Sequence, residues 1–200
     1  MAGVEIRIAD DGEILVRGEL VMDGYWRDKK ATNETIIDGW LHTGDIGIIQ
    51  SDGFLQITDR KKDILVNSGG DNIAPARVEG AITLRPEFNQ AMVYGDKKPY
   101  LVALVVPSEE FISEWCGDNN EDTSLLELSG NDLFRSKVQS IMSEINSGLS
   151  QLEKIRHTMI AREPFQTDNG LMTPTLKIRR HKIIELYGDK LEQLYHRKNT

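Results

Sequence analysis

"DRKKDILVNSGGDNIAPARVEGAI", residues 59–82, decides how this chain is divided. A cluster of charge gives way to a short apolar strand at Ile64 to Val66, then to a Gly-rich turn. Pro75 follows where a first helical turn accepts it, and Val78, Ala81 and Ile82 recur at helical spacing. The texture upstream is mostly β, and downstream it mixes strands with helices. The boundary therefore falls near Arg60 to Lys62.

Upstream, "VEIRIADDGEILVRG" alternates on either side of Asp10-Asp11-Gly12, a strong hairpin signal. "RDKKATNETI" is polar and helix-compatible. "IGIIQSDGFLQITD" reads as a second hairpin turning at Ser51-Asp52-Gly53. Between them, "DGWLHTGDIG" places Thr43-Gly44-Asp45 between a strand-like "GWLH" and the strand "IGII", at a strand edge or in a short connection.

Downstream, "NQAMVYG" and "YLVALVVP" flank the polar turn Gly95 to Pro99 and read as buried antiparallel strands of a small sheet. "GDNNEDTSLLELSGND" is acidic and reads as a loop. From Leu133, the residues Phe134, Val138, Ile141, Ile145, Leu149 and Leu152 form one apolar helical stripe, read as a packing face. "HTMIA" reads as a further strand. "TDNGLMTPTLKIRR" is a turn-rich loop leading into a helix with Ile183, Tyr187, Leu191 and Leu194 on one side.

Composition narrows the function classes. The 200 residues suffice for one domain or for a small domain with part of another, and 39% hydrophobic with 28% charged residues is an ordinary globular mixture. A net charge of −8 argues against nucleic acid as the main partner. The single Cys116 offers no disulfide framework, which fits a reducing compartment and points to the cytoplasm. The opening "MAGVEIRIADDGE" lacks the basic start and apolar run of a signal peptide, and no later stretch has the length of a membrane span. The four histidines lie far apart in sequence without zinc-like spacing, so no metal is assigned to protein ligands.

Several short stretches could carry chemistry. Asp45, a short carboxylate beside glycine, can accept both hydroxyls of a ribose, although Asp beside Gly equally makes an Asx turn. In "DRKK", the planar fork of Arg60 suits an anion or ribose-phosphate, whereas Lys61 reads as part of a solvated charge run. Gly69 and Gly70 in "NSGGDN" permit positive φ or close approach of a thin ligand, and a tight turn needs them equally. "TPTLKIRR" carries Lys177 on a loop, from which it could neutralise charge on a carboxylate or phosphate; otherwise it opens a basic, solvated helix start. Neither G-x-G-x-x-G nor G-x-x-x-x-G-K-[ST] occurs.

Taken in order, "GEILVRGELVMDGYW", "DGWLHTGDIG", "DGFLQITDRKKDILVNSGGDNIAPARVE" and "TPTLKIRR" resemble the C-terminal motifs of the adenylate-forming acyl-CoA synthetase superfamily. The run from "DGWLHTGDIG" through "DRKK" is similar to the signature of long-chain fatty acyl-CoA synthetases. The resemblance implies an α+β fold. Residues 1–60 would be the β-rich end of a large AMP-binding N-terminal domain, and residues 61–200 a small mobile domain with a short sheet flanked by helices. It implies a ligase that joins a fatty acid to ATP with Mg²⁺ and passes the acyl group to CoA.

By that resemblance Asp45 and Arg60 would bind ATP and AMP. Lys62 would be the hinge, Gly69 and Gly70 would lie along the pantetheine arm of CoA, and Lys177 would be the catalytic lysine. Mg²⁺ would be held mainly through ATP and the N-terminal domain. The usual Gly-Lys of the family is Leu176-Lys177 here. The phosphate loop and acyl tunnel belong upstream of residue 1, so the chain is expected to be a C-terminal fragment, inactive alone. Peripheral membrane contact by the intact enzyme stays open, as do the alternatives of another adenylate-forming ligase or a noncatalytic nucleotide- or CoA-binding module.

Overall fold

The computed structural model describes residues 3–119 and 123–196. Its contacts divide the chain into two compact units, Met1–Ile64 and Leu65–Thr200.

The first unit is an antiparallel sheet. β1 (Val4–Ile8) and β2 (Glu13–Gly18) form the first hairpin; α1 (Lys29–Thr35) is capped at its start by the Asp28 side chain, and β3 (Ile36–Ile37) follows. β4 (Trp40–Ile49) and β5 (Leu55–Arg60) form the second hairpin, ending in a 3-10 turn at Lys61–Asp63. The order is β1-β2-β4-β3, with β5 also paired to β4. Thr43-Gly44-Asp45 does not connect two strands. It lies inside the single ten-residue β4, where the register against β2 shifts between Glu13 and Leu15. Gly44 takes φ +70°, and Thr43 to Asp45 stand opposite Ile14 alone, so two extra residues bulge out while pairing continues on both sides.

In the second unit, the two-residue strands β6 (Leu65–Val66) and β7 (Asn72–Ile73) pair around the Gly69-Gly70 turn. α2 (Pro75–Thr83) begins on Pro75, where the missing N–H costs nothing. A three-stranded sheet forms the centre: β8 (Phe88–Tyr94) runs antiparallel to β9 (Leu101–Pro107), and β10 (Ile155–Ile160) runs parallel to β9. Every residue of β9 is buried, which explains its unbroken apolar run.

Both faces of that sheet are covered. Leu101, Ala103 and Val105 pack on one side with α2, α3 (Glu109–Asn119), α4 (Leu125–Leu128) and α5 (Asp132–Ser147). Val102, Leu104 and Val106 pack on the other with α6 (Arg180–His196), through Ile183, Tyr187, Leu191 and Leu194. The alternation along one strand thus divides the core into two layers.

Two expectations need correction. "GDNNEDTSLLELSGND" is not simply a loop: α3 continues to Asn119, and Ser124 with Glu127 builds a capping box that starts α4. Residues 120–122 of that stretch lie outside the described residues. The apolar stripe of α5 stops at Ile145, because the helix ends at Ser147 and Gly148 caps it. Leu149 still packs against the core, whereas Leu152 is exposed.

Candidate functional site

In the first unit, Asp45 and Arg60 are cross-strand partners on β4 and β5. Arg60 Nε lies 2.8 Å from Asp45 Oδ1, which leaves the rest of a quarter-exposed carboxylate facing outward. The Asp45 N–H donates to Thr43 Oγ1 at 3.1 Å, so the turn chemistry and the candidate ligand group coexist. The Arg60 guanidinium is half-exposed and keeps donors for a second anion.

The residue that shapes this corner is one that sequence reasoning missed. Glu13 is 4% exposed, yet it accepts hydrogen bonds from the Gly44 N–H (2.9 Å) and Lys61 Nζ (3.0 Å) and pairs with His42 Nδ1 (2.9 Å). Burial works to raise its pKa, but the bonds from His42, Lys61 and Gly44 outweigh it and hold the carboxyl below its ordinary value. Lys61 is exposed but is not a free charge. It bridges Asp11 (2.7 Å) and Glu13, which raise its pKa. Lys62, next in the 3-10 turn, is exposed and makes no ion pair among the described residues.

In the second unit, Asn67 organises the glycine turn. Its Oδ1 accepts from the N–H of Gly69 (2.8 Å) and of Asp71 (2.9 Å). Gly70 takes φ +88° with open space where a Cβ would sit, so backbone conformation demands glycine there. Both glycines are exposed.

The loop bearing Lys177 has a pinned base and an open tip. Gln90 on β8 clasps Phe165 through both of its main-chain groups (2.9 and 2.8 Å). Arg180 at the start of α6 donates to the Val93 carbonyl (2.9 Å) and pairs with Glu79 of α2 (2.8 Å). Arg180 is thus tied into the fold rather than solvated. Between these anchors, Thr173 bonds the main chain of Lys177 in both directions. Leu176 and Lys177 are exposed, and Lys177 makes no ion pair among the described residues. Leu176 has φ +58°: the left-handed turn is kept although the residue is not glycine.

The family model of the AMP-binding enzyme C-terminal domain matches residues 62–199. The chain belongs to that family. A long-chain-fatty-acid–CoA ligase of Mycobacterium tuberculosis, FadD15, is 39% identical over 98% of the chain, which covers 33% of that protein. The AMP-binding family chain therefore spans about a third of the length of the curated relatives it matches.

Among solved structures, the adenylation domain of a carboxylate reductase from Mycobacterium chelonae superposes with TM-score 0.79 at 26% identity. The match covers 97% of this chain and 31% of that one. The A domain of the carboxylic acid reductase of Segniliparus rugosus, solved with AMP and a carboxylic acid, gives TM-score 0.76 at 28% identity. There the coverage is 92% and 28%. These relationships confirm the α+β class and the adenylate-forming resemblance. Among the described residues no group of three or more His, Cys, Asp or Glu could hold a metal ion, and no helix is long and apolar enough to cross a membrane.

Two outcomes follow. Because Glu13 has a depressed pKa in the folded chain, its stabilisation is complete above the ordinary carboxylate pKa and is lost as pH falls through the folded value. Glu13→Gln should cost about 1–3 kcal/mol at neutral pH, with the gap to the parent closing below about pH 4 in hydrogen exchange at β2 and β4 amides. Leu176→Gly should raise stability by up to about 1 kcal/mol in urea unfolding, because it removes left-handed strain without removing buried contacts.

Proposed function

We propose that this chain supplies the C-terminal part of a long-chain fatty-acid–CoA ligase, converting ATP, fatty acid and CoA to acyl-CoA, AMP and pyrophosphate. Residues 1–60 would complete the AMP-binding domain, and residues 61–200 would form the mobile domain that turns between half-reactions. The observation that carries the reading is the joint presence of two groups. One is the Asp45–Arg60 pair facing outward from a rigid ladder; the other is Lys177 on the exposed tip of an anchored loop. The first unit also exposes Trp26, Phe54 and Ile57, as expected of a β element that packs against further protein.

In this reading Asp45 accepts the ribose hydroxyls, and Arg60 holds that carboxylate in place while adding positive charge beside the phosphates. A carboxylate oxygen of the fatty acid attacks the α-phosphorus and pyrophosphate leaves. Lys177 Nζ spans the carboxylate and α-phosphate as charge builds between them, an interaction strongest in the transition state. Mg²⁺ would neutralise the departing pyrophosphate through ATP and the larger domain. Rotation about Lys62 then withdraws Lys177 and brings the Gly69-Gly70 turn to the pantetheine arm. The CoA thiolate attacks the acyl carbon, and AMP leaves. The fatty substrate and the lone cysteine fit a cytoplasmic enzyme that meets membranes peripherally.

The test uses a full-length ligase carrying this segment, with the half-reactions measured separately. Lys177→Ala should slow adenylation by about a hundredfold or more while sparing acyl transfer from supplied acyl-adenylate. Lys62→Pro should do the reverse, keeping adenylation and losing thioester formation. Equal loss of both half-reactions in either variant would overturn the assigned role.

A further inference from the structure

The parallel strand β10 is an edge, paired with β9 alone. Residues 157–160 of β10 all border one open groove of about 710 Å³, together with residues of α5 and α6. Successive strand side chains point to opposite faces, and α5 and α6 pack on opposite faces of the sheet. Four consecutive strand residues and both helices can share one space only along the open edge of the strand itself.

The two ends of that edge are closed by side chains. Asn146 bonds both the N–H and the C=O of Ile155, each at 2.8 Å, and the Arg162 N–H donates to Tyr187 Oη at 3.2 Å. The middle is different. The Ala161 N–H donates to the Val105 carbonyl at 2.9 Å, and in a parallel ladder this fixes the alternation. Met159 and Ala161 direct their main-chain groups to β9, while Thr158 and Ile160 direct theirs into the groove. Thr158 Oγ1 is also buried there without a hydrogen-bond partner among the described residues.

The groove is basic within an acidic chain. Arg135, Arg162 and Lys190 line it. Asp132, the single carboxylate among the described lining residues, is already within 3.4 Å of Arg135. Arg162 and Lys190 make no ion pair among the described residues, although the chain as a whole carries −8.

We propose that this groove takes an extended acidic segment of a partner protein as a fourth strand of the sheet. The segment pairs with the main chain of Thr158 and Ile160 and places its carboxylates at Arg162 and Lys190. At about 3.3 Å per residue, the open stretch accommodates roughly four or five residues. Main-chain pairing supplies the affinity, and the cations select an acidic sequence.

Amide NMR of the 200-residue chain, titrated with the blocked peptide Thr-Glu-Val-Asp-Val-Glu-Thr, tests this. The Thr158 and Ile160 amides should shift and gain at least about tenfold protection from exchange, while Met159, already bonded to β9, gains none. Arg162→Glu with Lys190→Glu should weaken binding by about tenfold or more, with the free spectrum otherwise kept; so should N-methylation of alternate peptide nitrogens. A lysine counterpart of the peptide should not bind. The proposal is overturned by absence of binding at millimolar peptide, or by equal binding of the N-methylated peptide. It is equally overturned by inorganic phosphate reproducing the same shifts, which would make the groove a small-anion site.

Discussion

Glu13 is a carboxylate removed from water at the start of β2, and the corner of the first unit that carries Asp45 and Arg60 is built around it. An unpaired charge there would be costly, so it gathers His42 and the Gly44 N–H from β4 and Lys61 from the 3-10 turn. Its bond to Gly44 holds the bulge that a positive φ makes possible. Asp45 lies at the end of that bulge and faces Arg60 across the neighbouring ladder, whose own register shifts between Ile46 and Gly47. Lys61, held by the same carboxylate, fixes the chain just before Lys62. One buried charge therefore governs the candidate ribose ligand, its arginine partner and the segment leading to the hinge position.

The second unit solves a different problem, presenting a lysine on an exposed loop without letting the loop drift. The fully buried β9 and its two covered faces give a rigid base. Gln90 and the Arg180–Glu79–Val93 cluster tie both ends of the loop to that base. Strain is concentrated at the tip, where Leu176 adopts a glycine-like conformation beside Lys177. A rigid platform with a strained, solvent-facing tip suits a group that must enter and leave an active site.

Much of this was legible in the sequence, because the signals were local. The two Asp-Gly hairpins, the helix starting at Pro75, the buried run of β9 and the stripe of α6 each follow from spacing within one element. The motif order carried the family. What stayed hidden depends on contacts distant in sequence. His42 and Lys61 lie 29 and 48 residues from Glu13, and Arg180 lies 101 residues from Glu79, so no pattern inside a window reveals them. The same distance explains why the ion pairs of Lys61 went unseen and why "GWLHTGDIG" read as two pieces. A bulge inside one strand and a connection between two look alike without the partner strands.

Asp45, held by its ion pair with Arg60, is proposed to read the ribose hydroxyls of ATP. The direct measurement is kcat/KM for adenylation by a full-length ligase carrying this segment, with ATP and with 2′,3′-dideoxy-ATP, for the parent and for Asp45→Ala. If Asp45 holds the ribose, the parent should discriminate against dideoxy-ATP by about a hundredfold or more, and Asp45→Ala should lose ATP activity until both nucleotides are used almost equally. Undiminished discrimination in the Asp45→Ala variant would show that Asp45 does not hold the ribose.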